Sequence, residues 1–277
     1  MLYRSVTRLT CSMRNRRHAK LGRMRVSARC FAITGLAYVP PWSVNSGFVV
    51  GGETTLVIDT GASALSAATI HGYASAVRPG NRIAVLNTEK HFDHVGGNGY
   101  FREQGAEIHG HAAIARTLEE LEQERAEFNA AISNSARRAW HEEAAFYHGT
   151  TLANPNLPIA GDTTLDLGGC AVEILLTPGH TPTNVSAWLP EDSVLYCGDC
   201  LTSRYIPNLD CGSAAEWRQW LKSLDRVERL GARAIVPGHG PVARGDEVPR
   251  MIDAVRRELE AGIAAGFSRT SAGGASA

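Results

Sequence analysis

Four short segments constrain this chain more than any other feature. They are Glu89-Lys90-His91-Phe92-Asp93-His94, Thr177-Pro178-Gly179-His180-Thr181, Cys197-Gly198-Asp199 and Val236-Pro237-Gly238-His239-Gly240. Each follows an apolar run and sets His or Asp where a strand gives way to a loop. The Gly and Pro residues of the last three force tight turns that present the next side chain outward. Imidazoles and carboxylates converging at strand ends need a chemical reason, because an unpaired buried charge is costly. Loops on a rigid scaffold are also where sites are built.

Between these segments the pattern alternates strand and helix. Strands are expected at Phe31–Val39, Gly47–Gly52, Thr54–Asp59, Arg82–Thr88, 106–109, 163–166, 170–176, 185–189, 193–198 and 233–236. Helices are expected at 62–78, 97–104, 214–230 and 246–264, the third carrying Trp217, Trp220 and Leu224 on one side. A long helical insertion spans about 112–147, with Ile114, Leu118, Leu121, Phe128 and Ile132 on one face and a break near Asn134. It reads as a core-facing helical pair, or as a lid or dimer surface. Strands interleaved with helices give an α/β or α+β domain in layers.

The four segments offer four imidazoles (His91, His94, His180, His239) and three carboxylates (Glu89, Asp93, Asp199). Mixed nitrogen and oxygen donors suit zinc, iron or manganese rather than calcium. Seven donors exceed what one tetrahedral zinc uses, so two metals are the economical reading. Two adjacent cations can share a hydroxide at neutral pH and polarise a carbonyl.

In the order and spacing of these segments the chain resembles the metallo-β-lactamase superfamily, whose first motif is His-x-His-x-Asp-His. The resemblance covers about residues 31–240. It implies a four-layer αβ/βα sandwich, here with a helical insertion, and a metal site along one edge. By that likeness position 89, His91 and His180 would hold a first metal, and Asp93, His94 and His239 a second, with Asp199 bridging. Asp59, in Asp59-Thr60-Gly61, would support the ligands from behind. Two departures stand out. Position 89 is Glu where the family usually has His; as a ligand it would lower the Lewis acidity of the first metal and weaken zinc retention there or favour iron or manganese, and otherwise it would turn away and leave that site with His91, His180 and Asp199. Thr183-Asn184 replaces the more usual Gly and His, Ser or Asp.

The resemblance implies a metal-dependent hydrolase, binuclear and zinc first, with iron or manganese as alternatives. A bridging hydroxide would attack an ester, thioester, lactone or amide carbonyl, with Asp93 orienting the nucleophile or handling its proton. Asp199 is closer to thioesterases and lactonases than to lactamases with Cys or Ser there. Only 38 residues follow His239, too few for a large glutathione-binding domain, so a standard glyoxalase II is not expected. Asn184 and Tyr205 are named as substrate contacts by their expected nearness to the site. The alternative is an iron-dependent, dioxygenase-like oxidoreductase on the same fold; a nucleic-acid-binding or structural protein is a third class.

Charge divides the chain in two. Residues 1–33 carry nine Arg or Lys and no acid, and the first acidic residue is Glu53; the remaining 244 residues hold 19 basic and 28 acidic groups. The basic head, 1–29, is expected to be a disordered extension with Met24 as a second start, or else a targeting segment. Residues 30–266 form the domain, and 267–277 are a Ser/Gly/Ala tail expected to be disordered. Six cysteines lack a dense pairing pattern, and Cys197 and Cys200 read as small buried hydrophobes in a reducing compartment. A cytoplasmic protein is therefore expected, with a small-molecule substrate, no nucleic-acid partner, no membrane span and a homo-oligomer through the insertion.

Overall fold

The computed structural model describes residues 21–37, 43–131, 147, 149–204, 207–209 and 212–265. Within these residues two sheets face each other. The first runs in chain order: β1 (Gly22–Arg25), β2 (Cys30–Ala37), β3 (Ser43–Val50), β4 (Thr54–Ile58), β5 (Arg82–Asn87), β6 (Glu107–His111) and β7 (Leu157–Ile159). The second comprises β8 (Thr163–Asp166), β9 (Ala171–Leu176), β10 (Val185–Leu189), β11 (Val194–Tyr196), β12 (Ala234–Val236) and β13 (Ala243–Arg244), in reverse order across the sheet. β1 to β4 pair antiparallel and β4 to β7 parallel. β11 pairs parallel with β12 and antiparallel with β10.

Alternation of side chains along the strands builds three cores. Leu56 and Ile58 of β4, Ala84 and Leu86 of β5, and Val194 and Tyr196 of β11 point between the sheets. Val57 and Val85 point outward against Ala67, Ile70 and Ala74 of helix α1 (Ala64–Val77). Leu195 and Ile235 point to the opposite outer face, against Trp217, Trp220, Leu224 and Val255. Those four residues come from helices α5 (Ala214–Arg229) and α6 (Glu247–Ala264). Strands covered on both faces read as unbroken apolar runs. The result is the four-layer αβ/βα sandwich that the resemblance implies. Tyr196 fastens the sheets together, its hydroxyl lying 3.0 Å from the Phe31 carbonyl and 3.3 Å from that of Phe48.

Several expectations change. The basic head does not end at 29 as an extension, because Gly22–Arg25 pairs along Phe31–Thr34 as an edge strand. Arg and Met at exposed edge positions conceal the strand from a pattern search. β7 contains Pro158 and follows Pro155, so nothing in residue type marks it as a strand. Helix α4 (Leu118–Ala131) starts six residues later than expected. Thr117 caps it: Thr117 Oγ1 accepts from Glu120 N–H and Glu120 Oε2 accepts from Thr117 N–H, a reciprocal box. Leu118 is consequently exposed rather than core-facing, whereas Leu121 is fully buried. Helices α2 (Phe92–Val95) and α3 (Asn98–Glu103) are short. The rest of the insertion, 132–146, lies outside the described residues, as do 1–20 and 266–277. Among the described residues no helix is long and apolar enough to cross a membrane.

Candidate metal centre

Five strands end at one edge. β4 ends at Asp59, β5 runs into Glu89–His94, β9 into His180, β11 into Asp199 and β12 into His239. The turns there leave no spare room. Gly198 has φ +50, and a Cβ on it would collide with Thr88 Oγ1. A Cβ on Gly238 would collide with Asp199 Oδ1. Hydrogen bonds knit the two sheets at this edge, from Val185 N–H to the Thr88 carbonyl (2.7 Å) and from Asn45 N–H to the Gly238 carbonyl (2.7 Å).

The structure brings Glu89, His91, Asp93, His94, His180, Asp199 and His239 together. Three groupings have donor atoms within 4.8 Å of one another: Glu89, His91 and His180; Asp93, His94 and His239; Glu89, His94 and Asp199. His180 Nε2 lies 3.2 Å from His91 Nδ1, and His239 Nε2 lies 3.2 Å from Asp93 Oδ2. Asp199 reaches His94, His180 and His239 at 3.4–3.5 Å. Only the His91 side chain is appreciably open among the seven, at 25% exposure, against 0–11% for the others.

Two imidazoles have their tautomers set from behind. His94 Nδ1 donates to Asp59 Oδ2 at 2.9 Å, and His239 Nδ1 donates to the Ser43 carbonyl at 2.9 Å. Each then turns Nε2 toward the carboxylates, as the atom that a proton or a cation would occupy. Asp59 is itself fixed by Thr88, whose N–H (2.7 Å) and hydroxyl (2.6 Å) both donate to it. It takes a left-handed backbone, φ +59, which Asp tolerates better than most residues.

The electrostatics follow from packing three carboxylates among four imidazoles. Burial opposes charge on His94, but Asp93, Asp59, Asp199 and Glu89 together raise its pKa well above the usual value. The same contest leaves His239 at about 10, against burial and through Asp199 and Asp93. His180 moves the other way, lowered by burial and by its imidazole neighbours. Burial raises the pKa of Asp59. For Asp199 burial is overcome by His239 and His94, which hold the carboxyl well below its ordinary range. Glu89 and Asp93 are lowered by the same kind of contact.

Asn184 does not face the site. It is fully buried, and its amide donates to Thr177 Oγ1 (3.0 Å), the Val185 carbonyl and the Cys197 carbonyl. It braces the turn behind His180 instead of offering a substrate contact, because each strand-end carbonyl it meets needs a donor. Tyr205 lies outside the described residues. Cys197 and Cys200 are buried free thiols, and burial pushes the Cys200 thiol up to about 12. His71 sits on α1, bonded to the Tyr100 hydroxyl at 3.1 Å. Sequence reasoning missed Thr88, the Ser43 carbonyl and Trp220. The Trp220 ring packs on Gly179, meets His180 edge-to-face at 5.5 Å, and donates Nε1–H to the Cys200 carbonyl at 2.8 Å. Its place on the Trp217–Trp220–Leu224 stripe is the available signal, and it reads only as core.

Fold and edge geometry together define a class, and the chain belongs to the metallo-beta-lactamase superfamily, whose model matches residues 39–239. The family is one of metal-dependent hydrolases for the most part, and its relatives of this chain carry such names. A hydroxyacylglutathione hydrolase of Rhodospirillum rubrum is 29% identical over 153 residues, 55% of this chain and 45% of that protein. A metallo-beta-lactamase type 2 of Bacillus cereus is 28% identical over 163 residues, 57% of this chain and 52% of that protein. The solved structure of a metallo-beta-lactamase family protein from Thermus thermophilus matches with a TM-score of 0.65 at 23% identity, covering 87% of this chain and 82% of that one. The chain spans less than half the length of the first curated relatives it matches.

Proposed function

We propose that the protein is a hydrolase with a two-ion centre that turns water against an ester, thioester, lactone or amide carbonyl. One observation carries the reading. Glu89 Oε1, His94 Nε2 and Asp199 Oδ1 are buried without a hydrogen-bond partner, and these three residues face one another. Buried polar atoms are normally satisfied, so a cluster of orphans made only of donors to a cation fits a bound ion. In this reading Glu89, His91 and His180 hold the first ion, and Asp93, His94 and His239 the second, with Asp199 between. Zinc suits the imidazoles, and iron or manganese suits the carboxylates.

When bound, two divalent cations supply an acidified water and a Lewis acid for the carbonyl. The chain's own residues do the rest. Asp59 and the Ser43 carbonyl hold the Nδ1–H groups of His94 and His239, so that Nε2 is the atom aimed inward and open to an ion once its proton leaves. Asp93 orients the attacking water or handles its proton. Substrate enters past His91, the open side of the cluster.

The test is a hydrolysis screen over thioesters, lactones and β-lactams with ion-loaded and chelated protein. Turnover confined to loaded protein supports the reading. Two bound ions with no turnover of any class would refute it and favour an iron-dependent oxidoreductase, read by oxygen uptake with Fe(II). The carboxylate-rich donor set is what favours that second reading. Asp93→Ala should lower turnover by about 10²–10⁴-fold; unchanged activity removes Asp93 from its role.

A further inference from the structure

Glu89 is surrounded differently from a donor to a single ion. Donors about 2.1 Å from one tetrahedral ion stand about 3.4 Å apart. Separations near that value therefore identify which donors can share an ion. Asp93 makes them within one set, 3.6 Å to His94 Nε2 and 3.2 Å to His239 Nε2. His91 makes them within the other, 3.2 Å to His180 Nε2. Asp199 reaches both sets: Oδ1 is 3.5 Å from His94, and Oδ2 is 3.5 Å from His180 and 3.4 Å from His239.

Glu89 repeats the pattern of Asp199, not that of Asp93. Its Oε1 lies 3.4 Å from His94 Nε2 and 3.6 Å from His180 Nε2, one imidazole from each set. Its Oε2 lies 2.9 Å from His91 Nδ1. The side chain is fully buried, and Oε1 has no hydrogen-bond partner. A neutral imidazole at this position would present one lone pair and serve one ion. A carboxylate has two oxygens with about four lone-pair sites.

From this juxtaposition we infer that Glu89 is a second bridging carboxylate, spanning both ions alongside Asp199. The inference rests on the two-ion reading above. Its consequence is coupled loading. A negative group between two dications, which sit about 3.5–4 Å apart in two-metal sites, offsets their repulsion. Removing it weakens the binding of both ions, whereas removing a donor to one ion weakens that ion.

The experiment titrates the metal-free full chain with Zn(II) against a chromophoric chelator, for wild type, His91→Ala and Glu89→Gln. His91→Ala is expected to weaken one ion and leave the other near its wild-type affinity. Glu89→Gln, a shape-conserving amide, is expected to weaken both by about tenfold or more. Weakening of only the ion that His91→Ala affects would overturn the bridge and leave Glu89 a donor to one ion. A wild type that binds no ion would instead overturn the proposed function. A wild-type measurement covers the case of a variant that fails to fold. Infrared difference spectra of ¹³C-glutamate-labelled protein, Zn(II)-loaded minus metal-free, should show a splitting of carboxylate stretches close to that of the free carboxylate, as for a bridge; a markedly narrower splitting would mean chelation of one ion and overturns the inference. A wide, monodentate splitting overturns it as well.

Discussion

Asp59→Asn isolates what holds a donor imidazole in register. Asp59 accepts three hydrogen bonds, from Thr88 N–H (2.7 Å), Thr88 Oγ1 (2.6 Å) and His94 Nδ1 (2.9 Å). Asn has nearly the same shape and also tolerates the left-handed backbone at φ +59. With its amide oxygen on Thr88 N–H, its NH₂ must occupy the position facing Thr88 Oγ1 and His94 Nδ1. The hydroxyl can rotate to accept, but His94 Nδ1 must change from donor to acceptor. The ring proton then moves to Nε2, the atom 3.4–3.6 Å from Glu89, Asp93 and Asp199, and occupies the lone pair meant for an ion. Partners behind a ligand are worth about 10–100-fold in metal affinity, or about 1.4–2.8 kcal/mol. Stability should change less. The lost charge-assisted bond costs about 1.5–3 kcal/mol, but Asn also removes a carboxylate whose pKa burial raises, so desolvation partly offsets the loss. The assay is competitive Zn(II) titration with thermal melting of metal-free protein. Wild-type affinity for both ions in a folded Asp59→Asn protein would refute the tautomer argument.

Three further outcomes follow from the same geometry. In metal-free protein His94 and His239 have pKa values raised above the unfolded value of about 6.5, to about 10 for His239. Their stabilisation is complete below about pH 6.5 and is lost as pH rises toward 10, whereas Asp199, lowered, loses its share as pH falls below about 4. Melting of chelated protein should therefore peak between those limits, and the gap to ion-loaded protein should widen with pH, since ligand protons must leave; a flat gap from pH 6 to 9 would contradict this. Trp220→Phe keeps a ring beside His180 but leaves the buried Cys200 carbonyl without its donor, for a loss of about 1–3 kcal/mol in urea unfolding; no loss would show that the indole N–H is not needed. Tyr196→Phe removes the hydroxyl that ties β11 to β2 and β3 and should cost about 1–2 kcal/mol by the same measurement, with unchanged metal affinity; altered affinity would mean the two sheets do not position their loops independently of that tie.

The parts of the molecule that sequence reveals are those governed by local rules. Apolar runs and glycine–proline turns mark β4, β5, β9, β11 and β12 and the residues that leave them. That suffices to assemble the seven donors, since a strand end fixes where the next side chain starts. Three things escape. β1 is short, basic and on an edge, so neither burial nor alternation writes it into the pattern. Leu118 is apolar but falls outside the core, because the Thr117–Glu120 box sets the helix start and with it the helix face. Asn184 is polar and next to a motif, so it invites a role in binding; only its three contacts show a brace. For β1 and Asn184 the deciding partner is distant in sequence or is a backbone group; for Leu118 it is the local Thr117-x-x-Glu120 signal, which the longer apolar periodicity masks.

The burial of the donors ties function to stability. The two sheets and their outer helices cover the strand ends so well that Glu89 and His94 are wholly removed from water and Asp199 nearly so. An unsatisfied buried polar group costs about 1–3 kcal/mol, and more when charged. Three such residues amount to a substantial fraction of the roughly 5–15 kcal/mol by which a domain is stable. Without ions the cluster has one remedy, which is to share protons, and the raised pKa values of His94 and His239 express it. Protons lower the repulsion among the carboxylates but leave Glu89 Oε1, His94 Nε2 and Asp199 Oδ1 without hydrogen bonds. Cations satisfy all of them at once, so the free energy of metal binding is in part free energy of folding. The chain should then melt markedly lower after chelation, and the elements that loosen first should be the five strand-end loops, not the three apolar cores. Hydrogen exchange at Thr88, His94 and Gly238, compared with Leu56 and Ile235, reads this directly: uniform loosening of loops and cores would mean that the edge is held by the sandwich alone.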